Sequence, residues 1–103
     1  MKWLSFNCKG MASASKKLAL HRLLEVEPMD FMMLQETLGD ADLINQTLVS
    51  LKPSWLFYSL DAADRSGGLA IGYDPRLIKV RTSWEGLGFI GMDILSTDLG
   101  MNI

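Results

Sequence analysis

Histidine and cysteine are nearly missing from this sequence. One cysteine, Cys8, and one histidine, His21, stand among 103 residues. A single cysteine excludes an intramolecular disulfide and suits a reducing compartment. With so few sulfur and imidazole ligands there is no zinc spacing, and Cys8 has no partner base that would make it a nucleophile. Excess charge is missing too. The formal net charge is -2, so the chain as a whole lacks the basic footprint of an avid nucleic-acid binder, and only a local basic patch stays open. No apolar run approaches the roughly 20 residues of a membrane span, and no basic-then-apolar leader precedes "WLSFN". The expectation is a soluble intracellular protein, nuclear or cytoplasmic, that uses no membrane. Repeats, low-complexity tracts, a Gly-x-x-x-x-Gly-Lys phosphate loop and a Gly-x-Ser-x-Gly elbow are all lacking.

What is present is a packed core in prospect. Hydrophobic residues make up 49% of the chain, which excludes a disordered tail and suits one small domain or part of a larger one. "KWLSF" reads as a strand and "NCKGMASAS" as a loop punctuated by Gly10. Ser13 or Ser15 can cap a helix over "KKLALHRLLEVE", where Leu20, Leu23 and Leu24 hold three places of an apolar stripe and Glu27 the fourth. Pro28 closes it. "MDFMMLQET" is apolar on both faces, as in a strand covered on both sides. Asp40 can cap a second helix with Ile44, Leu48 and Leu51 inward, ended by Lys52 and Pro53. "WLFYSL", "LAIGY", "LIKVRTSW" and "GFIGMDIL" read as strands, "STDLG" as a turn and "MNI" as the opening of one more strand. The order is β-α-β-α-β-β-β-β, a mixed α/β layout. Because the chain stops inside an element, all 103 residues are expected to form one truncated domain, with an exposed sheet through which copies self-associate.

The first two strands both end on polar residues. A strand-helix-strand crossover makes neighbouring strands parallel, so Asn7 and Glu36 belong at one edge of a sheet, where ligands of α/β proteins collect. Glutamate is a hard oxygen ligand of the kind Mg²⁺ accepts, and an asparagine amide can hold a second ligand or a phosphate oxygen. From spacing alone, the plainer reading is that these residues simply end their strands and face water, because polar strand ends are common.

At this point the motifs carry a resemblance. "WLSFNCKGM", the Lys/Arg-rich helix, "LQET" and "RSGGLA", in that order, resemble the start of the endonuclease/exonuclease/phosphatase superfamily. The similarity is strongest to the endonuclease domains of plant LINE-type retrotransposons, and it covers residues 2 to 80 most clearly. The resemblance implies the N-terminal half of a deoxyribonuclease-like two-sheet α/β sandwich, with a mixed sheet and helices on its outer face. It implies Mg²⁺-dependent phosphodiester hydrolysis of nucleic acid, DNA ahead of RNA. Glu36 then stands at the family's metal-binding glutamate and Asn7 at its active-site asparagine.

The family's catalytic tyrosine, Asp-x-Asn pair and closing histidine all lie downstream and have no counterpart here, so the chain alone is expected to be inactive and to bind Mg²⁺ weakly. The other reading is a non-enzymatic α/β interaction module or retroelement relic. His21 sits mid-helix, away from both strand ends. Lys16, Lys17 and Arg22 read as a solvated helix face, and the seven methionines read as core filler. Arg65 and Ser66 are open between two roles. They either contact nucleic-acid backbone at the cleft rim or simply lead, with Gly67 and Gly68, into a tight strand entry.

Overall fold

Eight elements follow one another in the expected order in a computed structural model that describes residues 2–62, 67–86 and 89–96. They are β1 (Trp3–Asn7), α1 (Ala14–Val26), β2 (Phe31–Gln35), α2 (Ala41–Leu51), β3 (Leu56–Leu60), β4 (Leu69–Tyr73), β5 (Ile78–Gly86) and β6 (Phe89–Ser96). Of the expected turn "STDLG", Ser96 ends β6 instead, and the rest lies outside the described residues with the closing strand "MNI".

Local chemistry sets the helix starts. The Ser13 hydroxyl accepts from the Lys16 N–H at 3.2 Å, so α1 starts at Ala14, ahead of its first lysine. Asp40 accepts from the N–H groups of Asp42 and Leu43 at 2.9 and 3.3 Å, which satisfies two of the donors an α-helix leaves open at its start.

β1, β2, β4 and β3 form one mixed sheet in that order. β1 and β2 run parallel, with Trp3 opposite Phe31 and Asn7 opposite Gln35. β4 is antiparallel to both of its neighbours, β2 and β3, so β1, β2 and β3 all deliver their carboxyl ends to the same edge. Alternation splits β2 between two cores. Met32 and Leu34 pack with Leu20, Leu24, Ile44 and Leu48 of the helices. Phe31 and Met33 pack with Ile71, Ile78, Ile90, Met92 and Ile94, most of them from the β5–β6 hairpin on the opposite face. Met32 and Leu34 are fully buried, each worth about 1.5–3 kcal/mol of apolar burial. The result is helices, sheet and second sheet in layers. A two-stranded hairpin cannot cover a four-stranded sheet, and Trp3 and Leu56 remain 48% and 52% exposed on the outer strands. No helix among the described residues is long and apolar enough to cross a membrane.

The turn after β4 rests on a buried charge. Asp74 is 4% exposed, and its carboxylate accepts from the Arg76 backbone N–H at 2.9 Å and from Nε and Nη2 at 3.0 and 2.7 Å. Those bonds hold its pKa below the ordinary value of 3.8. A carboxyl with a depressed folded pKa stabilises the fold fully above its unfolded value, and that contribution is lost as pH falls further. Asp74→Ala is therefore expected to cost about 2–3 kcal/mol at neutral pH, with the deficit relative to the parent shrinking below about pH 4. Urea midpoints at pH 7 and pH 3 check both statements.

Candidate active-site edge

The carboxyl edge of the sheet is built from loops that continue the strand pairing. Beyond β1 and β2, the N–H of Cys8 donates to the Gln35 carbonyl at 2.8 Å, Gly10 to Glu36 at 2.8 Å and Met11 to Thr37 at 3.2 Å. On the other side Leu38 donates to the Gly67 carbonyl at 2.7 Å and Thr37 to that of Gly68 at 3.4 Å. Residues 36 to 38 are thus held from both flanks.

This edge concentrates backbone strain. Lys9, Glu36 and Leu38 have φ of 49°, 52° and 54°, and they are the non-glycine residues with positive φ among those described. Each such residue costs on the order of 1–3 kcal/mol and persists where its surroundings over-determine it, which happens most often at functional sites.

Asn7 and Glu36 reach this edge on adjacent parallel strands, one as the last residue of β1 and the other as the first after β2. Both are exposed. Asn7 has a fixed side chain, because its Oδ1 accepts from the Lys9 N–H at 3.1 Å. Its amide oxygen is occupied, and its NH₂ group is the part left to donate. The left-handed turn at Lys9 makes that bond, which no motif in the sequence announces. The Glu36 carboxylate has no hydrogen bond or ion pair among the described residues.

Other acidic groups are spent elsewhere. Asp61, at the end of β3, accepts from the Ala41 N–H at 2.5 Å and so helps to cap α2. Asp93 holds Arg81 through both oxygens at 2.8 and 2.9 Å. Among the described residues no three His, Cys, Asp or Glu side chains converge on one point. The donor set is therefore of the right kind for a hard cation, and small. Glu36 offers one carboxylate, and the remaining ligands of an Mg²⁺ ion bound here would be water or phosphate.

Cys8 turns away from Asn7 into the helix-side core and is 2% exposed. Burial pushes its pKa up to about 11 against a partial offset from Lys16, so it is a packed apolar group. His21 pairs with Glu25 one helical turn on, at 2.8 Å, and takes no part in the edge. Arg65 and Ser66 lie outside the described residues. The two glycines that follow them do shape the edge. Gly68 has φ of +88°, and a Cβ on it would lie 2.5 Å from Thr37 Oγ1. Thr37 itself is 1% exposed, and its hydroxyl has no hydrogen-bond partner among the described residues.

No protein-family model matches the chain, and no curated protein does. Among solved structures, the APE2 catalytic domain of Xenopus laevis matches with a TM-score of 0.61 at 26% sequence identity, over 84% of this chain. The architecture is a fragment of a nuclease-like two-sheet α/β sandwich. The chain spans 27% of the length of the APE2 chain it matches. The likeness supports the endonuclease/exonuclease/phosphatase superfamily and does not reach the finer placement among LINE-type endonucleases.

Proposed function

We propose that this chain carries the first part of a metal-dependent phosphodiesterase site that acts on nucleic acid, with Glu36 as the metal ligand and Asn7 as a donor to the phosphate. One observation carries the reading. Glu36 is an exposed carboxylate free of partners among the described residues, held in a left-handed conformation at the edge where the amide of Asn7 is also fixed. Backbone strain of this kind clusters at functional sites, where surrounding hydrogen bonds hold it in place.

The motifs "FNCKG", "LQET" and "RSGG" add the lineage of plant LINE-type endonucleases, and with it Mg²⁺ as the cofactor and DNA as the substrate. When bound, the ion would supply charge stabilisation at the phosphoryl oxygens. The chain's own part is to hold one carboxylate and one amide toward that phosphate. Exposed Trp3 and Leu56 on the outer strands of the four-stranded sheet, and Trp84 and Phe89 on the β5–β6 hairpin, favour association of these surfaces with another chain, a second copy included.

Titration with Mn²⁺, followed by the loss of the free-ion electron paramagnetic resonance signal, tests the reading. The parent should bind weakly, and Glu36→Ala should bind about 10-fold more weakly or not measurably. Equal binding by the two proteins would remove Glu36 from the site.

A further inference from the structure

We propose that Gly67 is a positioning residue for the Glu36 carboxylate; the inference rests on the reading of Glu36 as a metal ligand. A Cβ built on Gly67 would lie 3.1 Å from both Cα and Cγ of Glu36 and 3.3 Å from Leu38 Cδ2. The Glu36 side chain therefore leaves its backbone directly across the bare face of Gly67. Contact with Cγ, and not only with Cα, ties the glycine to the torsion that aims the carboxylate.

Steric space is the reason for glycine here, and backbone conformation is not. Among the described residues the glycines with positive φ are Gly10 and Gly68. Gly67 is not among them, in contrast to its neighbour Gly68, so the crowding at its Cβ position is what an alanine there would meet first. The added methyl must be accommodated by something that gives.

The backbone of Glu36 has little freedom to do so. Its carbonyl accepts from Gly10 at 2.8 Å, and the Gly67 carbonyl accepts from Leu38 at 2.7 Å. The soft coordinate is the Glu36 side chain itself. Rotation about its first torsion relieves the contact at Cγ and carries the carboxylate off its present direction. A displacement of about 1 Å is enough to cost on the order of 100-fold where a reacting group must be held in line.

The experiment compares the full chain, Gly67→Ala, Glu36→Ala and the double variant. Three quantities are read: the urea midpoint, the Glu36 χ1 from three-bond couplings in metal-free protein, and Mn²⁺ affinity. Gly67→Ala should keep a cooperative transition, change the χ1 population and lower Mn²⁺ affinity about 10-fold. Adding Gly67→Ala to Glu36→Ala should lower the affinity no further, because both act through one carboxylate. Unchanged χ1 in Gly67→Ala overturns the inference whatever the metal does. If the parent binds Mn²⁺ no better than Glu36→Ala, the metal reading fails, and χ1 alone decides whether Gly67 holds the carboxylate. If Gly67→Ala does not fold, the same measurements are made with Leu38→Ala added, which removes the 3.3 Å contact. Failure of that protein to fold as well overturns the inference, since Gly67 would then serve the fold and not the carboxylate.

Discussion

Gly68→Ala is expected to remove a large share of the stability of this chain. Two costs fall on one residue. Its φ of +88° is a conformation that an L side chain adopts at roughly 1–2 kcal/mol. Its new methyl would also meet Thr37 Oγ1 at 2.5 Å, the Ala62 nitrogen at 3.3 Å and the Leu60 carbonyl oxygen at 3.4 Å. Two of those three atoms are backbone, and the third belongs to a side chain that is 1% exposed, so none can step aside into solvent. Overpacking of this kind costs about 1–3 kcal/mol. The sum, about 2–5 kcal/mol, is a large share of the 5–15 kcal/mol typical of a whole domain. The urea midpoint should fall accordingly at constant slope. Adding Thr37→Ala should recover part of the loss by clearing the closest contact, and the conformational part should remain. A midpoint within about 0.5 kcal/mol of the parent's would mean that the strand entry is drawn wrongly.

The chain by itself is expected not to nick supercoiled plasmid in Mg²⁺ or Mn²⁺. Phosphodiester hydrolysis needs an activated water, in-line geometry and stabilised phosphoryl charge. On the proposed reading Glu36 would contribute to the last of these, and the NH₂ group of Asn7 would hold one phosphate oxygen. Among the described residues, no group at the edge is placed to deprotonate water. His21 is engaged with Glu25 on α1, Asp61 with the start of α2 and Asp93 with Arg81. Catalytic groups act as a unit, so a site that lacks several of them should fall to background. Nicking by the parent should equal that of Glu36→Ala. Metal-dependent nicking that disappears in Glu36→Ala would show that two chains assemble one site or that residues outside the described ones complete it.

Much of the fold was legible in the sequence because its signals are local or periodic. Pro28 and Pro53 close helices, Ser13 and Asp40 open them, and the double-sided apolarity of "MDFMML" announces a strand with a core on each face. The two-sheet layout came from the family resemblance, but which strands make the second sheet was not legible, since alternation says which face of a strand is buried and not against what; the structure places β5 and β6 there. The edge itself was only half legible. That Asn7 and Glu36 would share it follows from the crossover rule. The left-handed turns at Lys9, Glu36 and Leu38 carry no sequence signature, because none of these residues is a glycine or an asparagine. The pairing of 67 and 68 with 37 and 38 is likewise a long-range contact. "SGG" advertises close approach of something, and only the fold identifies it as Glu36 on one glycine and Thr37 on the next. The bond from the Lys9 N–H to the Asn7 amide oxygen is equally invisible in the sequence, because it depends on the left-handed turn at Lys9.

The central claim is that the exposed carboxylate of Glu36 is a metal ligand. Crystals grown in Mn²⁺ and measured at its absorption edge test this most directly. An anomalous peak is expected within coordination distance of a Glu36 carboxylate oxygen, about 2.1 Å for an ion bound in the manner of Mg²⁺, on the side toward the Asn7 amide. No peak at Glu36, or an ion held by other carboxylates while Glu36 stays in solvent, would contradict it.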